Sequence, residues 1–204
     1  MKSCWLEECG IGKRYWGVTR ERLREPAVIV SYLDDLAGQV TQGRGLVLLG
    51  TIGVGKTAAL ALVAKESEGL CRGGVWYVTV TRLISHLLRG TEMITRYNDF
   101  GIDRGQPYQV EPKEFPLLLL DEFGAAYESD YAMAAFEDYM GWRYDEKLAT
   151  CVAANLTPED IRENLHYARM VDRWRETCRV VVIGGESMRG QEQHEIAERA
   201  AKGE

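Results

Sequence analysis

Eight consecutive residues, Gly50-Thr51-Ile52-Gly53-Val54-Gly55-Lys56-Thr57, fit the pattern G-x-x-x-x-G-K-[ST] without a mismatch. Glycines at this spacing let backbone N–H groups turn inward onto phosphate oxygens. A helix beginning at the lysine presents its positive dipole end to the same anion. Lys56 would reach the β- and γ-phosphates and Thr57 would ligate Mg²⁺, so the chemistry implied is binding of ATP with Mg²⁺, with Ala58 counted among the nucleotide-binding residues.

A second group of residues completes that chemistry. Asp121-Glu122 closes the apolar run Leu117-Leu118-Leu119-Leu120. A carboxylate at the end of a buried strand can hold the Mg²⁺ shell through water, the role expected of Asp121. Glu122 stands where it could polarise an attacking water as general base. Asn155, after the run 149–154, is a candidate sensor whose amide would bond both that water and the γ-phosphate; the alternative is a turn former ahead of Thr157-Pro158. Arg169 and Arg173 lie one helical turn apart and could complete a neighbour's nucleotide site with a fixed guanidinium fork, or could pair with Asp172 and Glu176 on an exposed face. Arg189 could touch the γ-phosphate from within the same chain.

These residues need elements that carry them to one place. The spacing of Val28, Ile29, Tyr32, Leu33 and Leu36 predicts one amphipathic helix over 27–40. Short apolar runs predict strands at 46–49, 75–80, 117–120, 149–154 and 179–183. Helices are expected over 56–66 and 81–88, around Met133, Phe136 and Met140, and from Pro158, which Thr157 should cap. The polar stretch 91–113, with Gly101, Gly105, Pro107 and Pro112, reads as loop with one short helix. Strands buried on both faces and alternating with helices mean an α/β fold with a mostly parallel sheet. Three parts are expected: an aromatic and basic N-terminal arm, residues 1–26, docked on the core; the core, 27–185; and a polar tail, 186–204.

The whole chain has 204 residues, 46% hydrophobic, 27% charged and 9% aromatic, which argues against disorder, collagen and coiled coil. A net charge of −6 is too acidic for a protein that coats nucleic acid indiscriminately. A local strip remains: Arg82, Arg89, Arg96 and Arg104, with Tyr97 able to stack on a base, give four basic residues against three acidic ones over 81–105. No apolar run approaches a membrane span, and Glu7 and Glu8 interrupt the N-terminus before a secretory segment develops. Five scattered cysteines, Cys4, Cys9, Cys71, Cys151 and Cys178, read as reduced thiols, and no second ligand pair accompanies Cys4 and Cys9 for zinc. A cytoplasmic protein is expected.

The order of parts resembles the AAA+ ATPases of the DnaC helicase-loader and IstB transposition-helper group. Cys9-Gly10-Ile11-Gly12-Lys13-Arg14-Tyr15 looks like the short segment that leads into that group's core. GTIGVGKT and LLLLDEFG follow, then Ala153-Ala154-Asn155-Leu156-Thr157-Pro158-Glu159 as its sensor stretch and Arg169-Met-Val-Asp-Arg173 as its arginine-bearing motif. The resemblance implies a P-loop NTPase fold with a five-stranded parallel AAA+ core and no C-terminal lid domain of full size. It implies Arg173 as a finger acting in a neighbouring subunit, Arg189 as a second sensor, and a channel for single-stranded DNA lined by the segment after the second strand. The activity implied is ATP hydrolysis in an ATP-dependent homo-oligomer that acts on a replicative helicase or a transposase. A P-loop nucleotide or small-molecule kinase, and a non-catalytic adaptor switched by ATP, are the alternatives the residues leave open.

Overall fold

The computed structural model describes residues 3–24, 26–70, 74–89, 94–98, 106–110, 112–124 and 129–188. In chain order the helices are α1 (Ser3–Glu8), α2 (Pro26–Asp34), α3 (Leu36–Thr41), α4 (Lys56–Glu66), α5 (Val80–Leu88), α6 (Asp130–Asp145), α7 (Pro158–Glu163) and α8 (Leu165–Thr177). The strands are β1 (Gly45–Leu49), β2 (Val75–Thr79), β3 (Ile94–Asn98), β4 (Gln106–Val110), β5 (Leu117–Phe123), β6 (Ala149–Ala154) and β7 (Cys178–Val182).

Five strands form one sheet in the order β2-β5-β6-β1-β7, and every pairing in it is parallel. The apolar runs follow from this position: β5 and β6 lie inside the sheet with layers on both faces, so neither face needs polar residues. One face packs Leu46, Leu48, Leu117, Leu119 and Cys151 against α2, α3 and α4. The other packs Val47, Leu118, Leu120 and Val152 against Leu83 of α5, Phe136 of α6 and Trp174 of α8. Helix α4 runs beneath the sheet and buries Ala59 through Ala64, which is why its sequence is apolar on all sides.

Two expectations are corrected. The single helix over 27–40 is broken at Asp35, whose backbone leaves the helical region (φ −121°, ψ 30°) and whose carboxylate accepts from Gln39 Nε2 at 2.7 Å; short acidic side chains compete with helical hydrogen bonding in this way. The stretch 91–113 is not mainly loop: β3 and β4 pair as an antiparallel hairpin, Arg96 opposite Tyr108 and Tyr97 opposite Pro107, while the expected short helix is a 3-10 turn at Pro112–Glu114. The β-formers Ile94, Thr95, Tyr97, Tyr108 and Val110 outweigh the stretch's polarity.

The N-terminal segment is fastened along α4. Trp5 Nε1 donates to Ala64 O at 2.7 Å, Lys65 Nζ to Val18 O at 2.7 Å, and Arg20 bonds Glu66 through two nitrogens and Asp34 through a third contact. Leu6, Cys9, Ile11 and Val18 are buried in the same core. No helix among the described residues is long and apolar enough to cross a membrane.

Candidate functional site

The phosphate-loop motif spans the turn from β1 into α4. Lys56 opens the helix behind Gly55, and its ammonium donates to Gly50 O at 2.8 Å and Thr51 O at 2.7 Å. Val54 is buried in the core and anchors the loop. Gly53 has φ +87°, and a Cβ there would lie 2.1 Å from Ser187 Oγ, so the close approach of the segment after β7 admits only glycine. That segment is held by Met188 N, which donates to Gly53 O at 2.9 Å, and by Arg24, which donates to Glu186 O at 2.6 Å.

The acidic pair stands beside the loop at the end of β5. Pairing with β6 passes from Leu120 opposite Val152 to Phe123 opposite Ala154, so Asp121 and Glu122 together face one β6 residue. This is a β-bulge, a device that re-aims side chains at sites. Glu122 takes the left-handed conformation, φ +61°, and its side chain is exposed while Asp121 is buried. Both Asp121 oxygens are held: Tyr77 Oη donates to Oδ2 at 2.6 Å, and Glu122 N donates to Oδ1 at 2.8 Å. Burial, then the neighbouring Asp121 charge, pushes the Tyr77 phenol far up, so it remains a donor.

A cavity of about 270 Å³ opens between these parts. Ile52, Gly53, Gly55, Lys56, Thr57 and Ala58 line it from the loop, Asp121, Glu122 and Asn155 from the strand ends, and Met188 from the segment after β7. Gly50, Thr51 and Val54 of the same loop do not line it. Asn155 N donates to Phe123 O at 3.0 Å, which fixes the sensor candidate to the bulged strand. Arg14, Tyr15, Gly17, Val18 and Arg22 form the remaining wall. Nothing in the sequence assigns these N-terminal residues to the site; their signals are a segment both aromatic and basic and, for Arg14 and Tyr15, its likeness to the segment that leads into the core. Tyr77 carried no signal, since only the fold brings β2 beside β5.

Hydroxyl and carboxylate oxygens are the donor types that Mg²⁺ prefers. Thr57 and the buried, doubly bonded carboxylate of Asp121 face one cavity and fit such an ion beside phosphate.

Other expected residues lie elsewhere. Arg173 lines a separate small cleft with Gln42, Gly43, Lys147, Leu148 and Cys178, where β1, β6 and β7 begin. The cavity beside the phosphate loop lies where β1, β5 and β6 end, so a strand length of roughly 15 Å separates the two. Arg173 and Arg169 are exposed on α8. Arg82 and Arg89 are exposed near the two ends of α5, and Arg96 and Tyr97 belong to β3. Arg104 and Arg189 lie outside the described residues.

A model of the family of IstB-like ATP-binding proteins matches residues 25–196. No curated protein matches the chain. Among solved structures, the crystal structure of the DnaC helicase loader is 20% identical with a TM-score of 0.61, over 85% of this chain and 100% of that one. DnaI is 21% identical with a TM-score of 0.63, over 88% and 94%. The replication initiator DnaA bound to AMPPCP and single-stranded DNA is 18% identical with a TM-score of 0.56, over 86% of this chain and 51% of that one, so the chain spans about half of DnaA. At these identities the likeness establishes a shared AAA+ fold. The phosphate loop, the β2-β5-β6-β1-β7 sheet and the match over 25–196 agree, and the chain belongs to the family of IstB-like ATP-binding proteins.

Proposed function

We propose that the chain hydrolyses ATP in an assembly of its own copies and uses that cycle to load or remodel a DNA-transaction partner, a replicative helicase or a transposase, on single-stranded DNA. The observation that carries this reading is the gathering of Lys56, Thr57, Asp121, Glu122 and Asn155 around one cavity at the carboxyl ends of a parallel sheet. Lys56 and the loop N–H groups bind the phosphates, and Glu122, exposed and turned out by the bulge, orients the attacking water. Asn155 reports the γ-phosphate to α7. Thr57 and Asp121 would hold Mg²⁺, which when bound supplies neutralisation of phosphate charge.

Arg173 cannot serve its own chain's cavity, because it sits at the opposite end of the strands, and it makes no ion pair with a described residue. It completes the site of an adjacent copy, where a guanidinium stabilises charge on the transferring phosphoryl oxygens. Arg189, following Met188 at the cavity wall, acts as the second sensor. Arg82 and Arg89 on α5, with Arg96 and Tyr97 on the hairpin, form the DNA-facing strip. DnaC and DnaA, whose fold this chain shares, are described as a helicase loader and as an initiator on single-stranded DNA, which supports the setting.

Mixing variants tests the reading. Lys56→Ala alone binds no ATP, and Arg173→Ala alone binds ATP but turns it over at least tenfold more slowly. An equimolar mixture regains turnover, because a wild-type cavity meets a wild-type Arg173. A mixture no more active than the two variants apart would end the shared-site reading, and phosphate transfer to an added nucleoside monophosphate would replace it with a kinase.

A further inference from the structure

Asp121 needs a fixed orientation to serve a bound ion, and one of the two bonds that fix it comes from a residue outside the phosphate loop and the strand that bears it. The geometry points to Tyr77 as a positioning residue that locks Asp121 and links it to the N-terminal segment. This inference rests on the reading of the cavity as an ATP and Mg²⁺ site.

Three contacts converge on Tyr77. Its hydroxyl donates to Asp121 Oδ2 at 2.6 Å. Its backbone N donates to Cys9 O at 2.7 Å. Its carbonyl oxygen lies 2.8 Å from the Cβ that Gly10 would carry, and Gly10 has φ +91°. The first turn of the N-terminal segment is thus built directly onto the backbone of the residue that holds Asp121. Tyr77 is itself on the edge strand of the sheet, where no described strand pairs with its outer side; Cys9 O accepts its N–H there instead.

The consequence is mechanical. With Glu122 N on Oδ1 and Tyr77 Oη on Oδ2, the carboxylate cannot rotate about its χ2 torsion, and its remaining lone pairs point in set directions. Partners that orient metal ligands in this way commonly change metal affinity by about 10- to 100-fold when removed. Tyr77→Phe keeps the ring and its packing and deletes only the donor. Phosphate binding by Lys56 and the loop does not pass through Asp121 and stays as it was.

The test is the affinity of the full chain for ATP, measured by calorimetry in excess EDTA and in excess MgCl₂. The wild type, Tyr77→Phe, Asp121→Asn, the double variant and Gly10→Ala are compared, with thermal melting as the check on folding. Tyr77→Phe is expected to bind ATP in EDTA within about twofold of wild type and to lose about tenfold of the gain that Mg²⁺ gives. In the Asp121→Asn background the same change adds nothing, because the two residues act through one bond. Gly10→Ala, which leaves the hydroxyl in place and presses on the Tyr77 carbonyl, reduces the Mg²⁺ gain in the same direction.

A full Mg²⁺ gain in Tyr77→Phe overturns the inference. So does an equal loss in both buffers, which is the mark of a packing role, or an effect that persists with Asp121→Asn. An undiminished gain in a folded Gly10→Ala overturns the link to the N-terminal segment. A wild type that binds ATP equally in both buffers overturns the role of Tyr77 alone, whereas a wild type that binds no ATP in either takes down the nucleotide-site reading itself.

Discussion

The rings of Phe123 and Trp174 meet edge to face with centroids 4.9 Å apart. Phe123 directly follows Glu122, and Trp174 directly follows Arg173, so the strand end that bears the proposed general base and the helix that bears the proposed finger share one rigid contact. Tyr167 and Phe136 complete the cluster around Phe123. Trp174→Ala would remove about 3–5 kcal/mol of folding stability. Trp174→Phe, which keeps an aromatic ring there, is expected to fold, to bind ATP as wild type does, and to hydrolyse it several-fold more slowly. Parallel losses of binding and turnover would reduce the pair to general packing.

Glu122, the proposed general base, also carries backbone strain. A non-glycine residue in the left-handed region costs on the order of 1–3 kcal/mol. Glu122→Gly is therefore expected to raise the stability of the fold by about 1 kcal/mol while abolishing hydrolysis, and Glu122→Gln to abolish hydrolysis at unchanged stability with ATP still bound. Denaturant melts beside phosphate-release assays check both. A glycine variant no more stable than the glutamine variant would show that the bulge stores no strain.

Arg143 is a guanidinium in the core with no carboxylate beside it among the described residues. It donates to Phe115 O, Ala149 O and Thr150 Oγ1 and lies 6.0 Å from the Tyr139 ring centre; burial pushes its pKa down. It fastens α6 to the starts of β5 and β6. Arg143→Leu removes three hydrogen bonds from the core, to Phe115 O, Ala149 O and Thr150 Oγ1, and is expected to cost about 3 kcal/mol or more, a fall in Tm of roughly 6–12 °C for a chain of this size.

Helix α7 begins in a capping box between Thr157 and Asp160. The Thr157 N–H, then its hydroxyl, holds the Asp160 carboxyl below the ordinary carboxylate range. A depressed carboxyl stabilises the fold at pH above its unfolded value, and the contribution fades as pH falls through its folded value. Asp160→Ala should melt below wild type at neutral pH, with the difference closing as pH falls below the ordinary carboxylate range. A difference that stays constant with pH would assign the effect to helix propensity.

Much of this was legible in the sequence because it is local. The phosphate loop is a contiguous run whose geometry is set by its own glycines, and a parallel strand buried on both faces announces itself as unbroken apolar residues, as Leu117 to Leu120 do. The break at Asp35 was hidden because apolar periodicity continues across it from Leu33 to Leu36. The hairpin of β3 and β4 was hidden because its strands are polar and its glycines also suit a loop. Arg14, Arg22 and Tyr77 were invisible as site residues since each reaches the cavity or its carboxylate only through tertiary packing, Arg14 and Arg22 from a segment moored at the far end of α4.

Strand β1, residues 45–49, is hydrogen-bonded on one side to residues 149–154 and on the other to residues 178–182. During synthesis the phosphate loop that follows it therefore leaves the ribosome long before either neighbour exists. At about 5–20 residues per second the interval is on the order of ten seconds. Over that time the strand it hangs from has neither neighbour. The support of the loop is complete only once both have paired with β1, so ATP bound there draws the population toward the assembled sheet by mass action.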